Sequence, residues 1–304
     1  MKMKNVFSMK IVSAAVVAGI VVLASCQKDN SVLSATDTQS VNSEATSASY
    51  TSETSDMSST VISGITDTKY GSGRTDGDIP GLGSRDNRLT GAIITIVPGP
   101  NSNKLNPSGM ITIDFGTGQL DARGVTRSGK IVITYSGRKM ASGSTRVLTY
   151  VNFSRNGTKI EGIYTVTNES DSTSTSIKLH HVLAGGKVTF GDGTSVTRNS
   201  DIHVVWNFVK DTPAQSTFTH LAGGTANGTN KNAKEYAMLI TKDLVHNAAC
   251  LESKVFIAVS GTKTITVTGG SVYTVDYGDG TCDNIITVTV NGKSKLITVN
   301  GDGN

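Results

Sequence analysis

The amino-acid sequence predicts an all-β fold, a large antiparallel and sandwich-like meander behind a disordered N-terminal tether. Two observations carry this prediction. From about residue 89 onward, apolar and polar residues alternate in one short run after another, which is typical of half-buried strands. Turn-forming dipeptides separate some of these runs, and no segment shows a convincing helical period over ten or more residues.

The first residues have the composition of an export signal. Lys2, Lys4 and Lys10 precede an uncharged apolar stretch that runs from Ile11 to Ala24. A charged start before a short apolar run is typical of such signals. The stretch is too short to cross a bilayer, which requires about 20 apolar residues.

The residues at the end of that stretch, Leu23 to Cys26, resemble the lipobox of bacterial lipoproteins. The resemblance implies that residues 1–25 form a signal peptide and that Cys26 becomes the acylated N-terminus. Stable anchoring takes two or more acyl chains, which a diacylated or triacylated cysteine supplies. The next residues, Gln27, Lys28 and Asp29, are similar to signals that send Bacteroidota lipoproteins to the outer face of the outer membrane. We therefore expect a protein in the outer membrane that faces the cell exterior.

The segment after the cysteine is dominated by Ser, Thr, Asp and Gln between residues 31 and 73, with scattered single aliphatic residues. Such a composition cannot bury enough apolar surface to order itself. We therefore predict a flexible tether over residues 26–88. The β domain then covers residues 89–304, which is enough chain for one sizeable core or two modest ones.

Alternation defines the strands of this domain. In Met110 to Phe115, the side chains of Ile111, Ile113 and Phe115 fall on one face. The same pattern predicts strands at Ala92–Val97, Met110–Phe115, Lys130–Tyr135, Val147–Phe153, Lys159–Thr167, Ser176–Leu183, Ile202–Phe208, Tyr236–Thr241, Lys254–Val259, Lys263–Thr268, Val272–Tyr277, Ile285–Val290 and Lys295–Val299. Asn156-Gly157 and Asn291-Gly292 separate two pairs of these runs. Because Asn-Gly favours the type I′ turn, both pairs are predicted to be antiparallel hairpins.

The charge of the chain argues against one class of partner. The formal net charge is +4, and three of the positive residues lie within residues 1–25, which contain no acid. The remaining chain is therefore near +1. A nearly neutral chain lacks the basic surface that binds phosphate backbones, so we expect no nucleic-acid partner.

Three cysteines are present, and acylation of Cys26 leaves Cys250 and Cys282. An exported protein meets an oxidising compartment, where these two could form a disulfide. The alternative is a pair of buried thiols on neighbouring strands. Closing this loop would stabilise the fold by about 3 to 4 kcal/mol in the chain-entropy model.

One acidic turn is a candidate cation site. Asp276, Asp279 and Asp283 surround two glycines and could offer carboxylate oxygens to calcium. Their spacing differs from that of an EF-hand, and Asp side chains also accept hydrogen bonds from nearby backbone amides in ordinary turns. We therefore predict no metal or other cofactor, with calcium at this turn as the alternative.

No motif indicates a catalytic site. The five histidines are dispersed along the chain, and His180 and His181 occupy successive strand positions. Their side chains should therefore point to opposite faces and cannot chelate one ion. The sequence has no H-E-x-x-H motif, no G-x-S-x-G motif and no phosphate-binding glycine loop. We predict that the protein is not an enzyme and has no catalytic residues.

Three motifs carry a resemblance to a protein family. Ile113 to Gly116, Gly129 to Arg138 and Asp276 to Asp283 resemble runs shared by a family of Bacteroidota outer-membrane lipoproteins. The resemblance extends over Met110 to Val299 and implies an envelope location and an all-β fold, without implying an activity. We expect a lipid-anchored, surface-exposed module that binds an envelope or extracellular ligand or has a structural role. The alternatives are a periplasm-facing envelope component and a hydrolase acting on polysaccharide.

Overall fold

The computed structural model describes residues 35–67, 86–171, 176–209, 211–251, 255 and 257–299. The predicted signal peptide, the lipidation site Cys26 and the export residues Gln27 to Asp29 lie outside the described residues. In the described part, the helix α1 spans Ala35–Asp67. The strands are β1 (Ile93–Pro98), β2 (Ser108–Asp114), β3 (Gln119–Leu120), β4 (Thr126–Ser136), β5 (Thr145–Arg155), β6 (Thr158–Asn168), β7 (Ile177–Thr189), β8 (Ser195–Asn207), β9 (Thr217–His220), β10 (Thr225–Thr229), β11 (Glu235–Asn247), β12 (Ser260–Val267), β13 (Val272–Asp279), β14 (Ile285–Val290) and β15 (Lys293–Thr298).

The strands form one antiparallel sheet. Most neighbours in sequence are also neighbours in the sheet, whose order is β1-β2-β4-β5-β6-β7-β8-β10-β11-β12-β13-β14-β15. The short β3 pairs with β4, and β9 pairs with both β8 and β11 beyond the end of β10. The predicted all-β antiparallel meander is therefore confirmed. The strands belong to one continuous hydrogen-bonded sheet, whereas a simple sandwich consists of two separate sheets.

The Asn-Gly turns close the two hairpins that the sequence predicts. Asn156 and Gly157 connect β5 to β6, and Asn291 and Gly292 connect β14 to β15. All four residues have positive φ angles, between 49° and 76°. Positive φ at both central positions is what a type I′ turn requires.

The prediction of a strand at Lys254–Val259 is wrong for the residues of that range that the structure describes. Val255 and residues 257–259 instead connect a 3-10 turn, Ala248–Leu251, to β12. Val255 and Val259 pack with Cys250 in a small apolar cluster of their own. Their apolar character therefore reflects burial under a loop rather than one face of a strand.

The helix α1 occupies much of the range that was predicted to be a flexible tether, so that prediction is wrong for residues 35–67. One row of its buried side chains recurs every three or four residues, at Ser40, Glu44, Ser47, Thr51, Thr54, Ser58 and Val61. This is a helical period, but small polar side chains carry most of it. A search for apolar periodicity therefore misses it.

Several buried hydroxyls of α1 donate hydrogen bonds to carbonyl oxygens of the helix itself. The Thr51 hydroxyl donates to the Ser47 carbonyl oxygen at 2.9 Å, and the Ser58 hydroxyl donates to the Ser55 carbonyl oxygen at 2.6 Å. Burying an unpaired hydroxyl would cost free energy, and these bonds offset that cost. A Ser/Thr-rich helix can therefore pack against the sheet even where the sheet offers no polar group to its hydroxyls.

Two apolar clusters lie between α1 and the sheet. The first contains Tyr50, Met57, Val61 and Ile62 of the helix together with buried residues of strands β1 to β8. The second contains Val41 of the helix and buried residues of β8 to β14. One helix thus contributes to both halves of the core.

Ion pairs connect the helix to the inner face of the sheet. Glu44 is 1% exposed and pairs with Arg198 of β8 and Lys263 of β12. Glu53 pairs with Arg127 of β4 and Arg155 of β5. Burial alone would raise the pKa of the Glu44 carboxyl, but the positive charges of Lys263 and Arg198 outweigh it and lower that pKa. Glu44 is therefore held as a carboxylate.

Candidate functional site

The outward face of β7 and β8 carries a pair of stacked histidines. His180 of β7 lies directly opposite His203 of β8 in the strand register. The two rings are nearly parallel, at an interplanar angle of 9°, and their centroids are 4.3 Å apart. His181, the next residue, points to the inner face and is 9% exposed. The expectation that His180 and His181 point to opposite faces is therefore confirmed.

Two carboxylates complete this outer cluster. Glu169, just after β6, places Oε1 3.3 Å from His180 Nδ1 and Oε2 3.2 Å from His203 Nδ1. Asp201 of β8 places Oδ1 2.7 Å from His180 Nε2. One ligand atom from each of Glu169, His180 and His203 lies within 4.8 Å of the others. The structure thus brings together residues that are up to 34 positions apart in the sequence.

A β-bulge positions the histidine pair. Near the β7–β8 turn, Gly186 pairs with Arg198, and the next pair along the strands is Leu183 with Ser200. Two residues of β7, Ala184 and Gly185, therefore lie opposite the single residue Asn199 of β8. Gly185 has φ +60°, and a Cβ atom on Gly186 would lie 2.5 Å from the Arg198 carbonyl oxygen. The Gly-Gly pair is what allows the strands to approach here.

The other three histidines lie on the inner side of the sheet, His181 on β7, His220 on β9 and His246 on β11. The Tyr164 hydroxyl lies 2.8 Å from His181 Nδ1, while the rings of His220 and His246 are 5.2 Å apart. The ring of Phe218 lies against all three histidines. Burial, then the nearby charges of Arg146 and His180, lower the pKa of His181 to about 3. Burial lowers the pKa of His220 well below its usual value as well.

Each of the three aspartates of the acidic turn hydrogen-bonds to its own backbone two residues ahead. Asp276 accepts from the Gly278 amide at 2.9 Å, Asp279 from the Thr281 amide at 3.2 Å, and Asp283 from the Ile285 amide at 3.1 Å. The Thr281 hydroxyl also donates to Asp279 and lowers the pKa of that carboxyl. These contacts are those of a turn in which side chains satisfy backbone donors.

Cys250 and Cys282 form a disulfide in the structure, with their Cα atoms 5.1 Å apart. The bond joins the 3-10 turn after β11 to the loop between β13 and β14. Cys250 is buried, and Cys282 is exposed.

Among the described residues, no helix has both the length and the apolar character needed to cross a membrane.

Reasoning from the sequence did not find the cluster of Glu169, His180, Asp201 and His203. The β7–β8 hairpin alone points to a different pair, because extending the register from its turn without the bulge places His181 opposite His203. The alternation of His203 with the buried Ile202 and Val204 was a usable signal, since it predicts an outward histidine.

Comparisons of this chain with protein-family models, with curated proteins and with solved structures found no match.

Proposed function

We propose that this chain is a lipid-anchored protein of the outer membrane, and that its β domain is a binding or structural module on the cell exterior. The observation that carries this proposal is the sequence from Leu23 to Cys26, at the end of an apolar stretch with a charged start. That combination is typical of exported lipoproteins. Gln27 to Asp29 favour the outer face.

The disulfide between Cys250 and Cys282 supports export. Disulfides persist in oxidising compartments and are rare in the cytosol of most organisms. The sheet also fits a binding or structural role, because its inner face is packed against α1 and its outer face remains available to partners. Acyl chains on Cys26 would place this face near other envelope components or extracellular ligands. The alternative is an envelope protein that faces the periplasm.

Acylation of Cys26 is the first prediction to test. Cells that express the wild-type chain and are fed a palmitate analogue should incorporate the label into this protein, and Cys26→Ala should abolish the label and leave unprocessed precursor. Cys250→Ala is a matched control, because it removes a cysteine that is not a predicted lipidation site. Undiminished label in Cys26→Ala would show that the lipidation proposal is wrong.

A further inference from the structure

The protonation of His180 is constrained by its two carboxylate neighbours. An ionised carboxylate only accepts hydrogen bonds, so the contact of 2.7 Å from Asp201 Oδ1 places a proton on His180 Nε2. In a neutral imidazole, Nδ1 then carries a lone pair. That atom lies 3.3 Å from Glu169 Oε1, which is also an acceptor. Two acceptors in contact require a cation between them, either a second proton on the ring or a metal ion.

The stacked ring of His203 faces the same carboxylate. It meets the other oxygen of the same carboxylate through Nδ1, at 3.2 Å. A second proton on His180, with a neutral His203 that donates from Nδ1, would satisfy these contacts. One metal ion bound to both Nδ1 atoms and to the carboxylate would satisfy them as well, and it would leave both rings neutral.

The three ligand atoms lie close enough together for one ion to bind all of them. Zinc binds histidine nitrogen and carboxylate oxygen at about 2.0 to 2.2 Å, so neighbouring ligand atoms lie about 3.3 to 3.5 Å apart. The two nitrogen–oxygen distances here are 3.3 Å and 3.2 Å. Because the lone pair of a ring nitrogen lies in the ring plane and the two rings are nearly parallel, the rings must tilt toward each other to share one ion. The exposed position of His203 allows this movement. Calcium fits less well, because it prefers an all-oxygen shell, and two of these three ligands are nitrogens.

We propose that Glu169, His180 and His203 form a site for one divalent transition-metal ion, with zinc as the best match. The side chains of Glu169 and His203 are 41% and 53% exposed, so the ion can enter directly from solvent. Three protein ligands leave the fourth position to water or to an external ligand. Asp201 is a positioning residue, because it orients the His180 ring through Nε2. This proposal goes beyond the lipid anchor and does not depend on it.

The test is a calorimetric titration of the full chain, solubilised in detergent, with zinc chloride. Wild type should bind one zinc ion, and His203→Gln and Glu169→Gln should each weaken binding by about tenfold or more. Glu161→Gln is the matched control, because Glu161 is a glutamate of β6 itself that pairs with Lys159 and not with the histidines. Asp201→Ala should weaken binding by about 10- to 100-fold, and Asp201→Asn, which keeps an acceptor, should restore part of the loss.

Cobalt(II) provides an independent readout of the same site. The wild-type chain should develop the visible absorption bands of four-coordinate cobalt, and the His203→Gln chain should not. Thermal melts without metal check that this variant folds, which we expect because His203 lies on the exposed face. The proposal is overturned if wild type binds no zinc, or if His203→Gln and Glu169→Gln bind it as tightly as wild type does.

Discussion

At the scale of single residues, the inner and outer histidines of the β7–β8 region differ in their access to protons. His180 and His203 face solvent and two carboxylates, whereas His181 is buried beside Tyr164 and Phe218. The low pKa of His181 follows first from burial and then from the charges of Arg146 and His180. An imidazole that stays neutral inside the fold but takes up a proton after unfolding couples stability to pH.

We predict that acid destabilises the protein through His181. The folded pKa of about 3 lies below the ordinary value of 6.5, so between these values the unfolded chain binds a proton that the folded chain does not. The free energy of unfolding should therefore fall by about 1.4 kcal/mol for each pH unit below 6.5, down to about pH 3. His220, whose pKa is also lowered, acts in the same direction.

Urea unfolding of wild type and His181→Gln between pH 7.5 and pH 4.5 measures this effect. Glutamine keeps a polar partner for the Tyr164 hydroxyl but does not titrate. Below pH 6.5 the variant should lose about 1.4 kcal/mol per pH unit less than wild type does, and above pH 6.5 the two slopes should be the same. Identical pH dependences for the two chains would contradict the assignment of a buried neutral histidine at position 181.

At the scale of elements, the sequence predicts strands well where one side of each strand is apolar. Ile111 and Ile113 of β2 and the Asn-Gly turns of two hairpins are examples. It fails for α1, because serine and threonine form most of the buried side of this helix. The same two residue types also occur on its exposed side, so they show no visible period in the sequence. It also fails for the histidine pair, because a bulge at Gly185 and Gly186 shifts the register by one residue. The acidic turn, by contrast, was recognisable from its local spacing.

The helix can be tested at a position where only its backbone matters. Ser52 is exposed on α1, so its side chain contributes little packing. Ser52→Pro should lower the free energy of unfolding by about 3 kcal/mol, because proline inside a helix removes a hydrogen bond and clashes with the preceding turn. Ser52→Ala should change it by less than about 0.5 kcal/mol. Chemical unfolding of both variants measures the difference, and equal stabilities would mean that this segment is a tether after all.

At the scale of the whole chain, α1 links the two halves of the β domain. Its Tyr50 and Met57 pack in the cluster of the first strands, and its Val41 packs in the cluster of the later strands. Glu44 adds a buried ion pair to both β8 and β12. Removing one partner of such a buried pair is strongly destabilising. The segment that follows the proposed lipid anchor is therefore also part of the folded core.

The central proposal is that acyl chains on Cys26 hold this folded domain on the outside of the cell. Labelling intact cells with an amine-reactive biotin reagent that does not cross membranes tests it most directly, because Lys187, Lys242 and Lys295 are exposed on the domain. A periplasmic protein in the same cells is the control. We predict that intact cells label this protein to the same extent as disrupted cells do, while the periplasmic control is labelled only after disruption. Protection of this protein until the outer membrane is opened would contradict surface display and would place the domain in the periplasm.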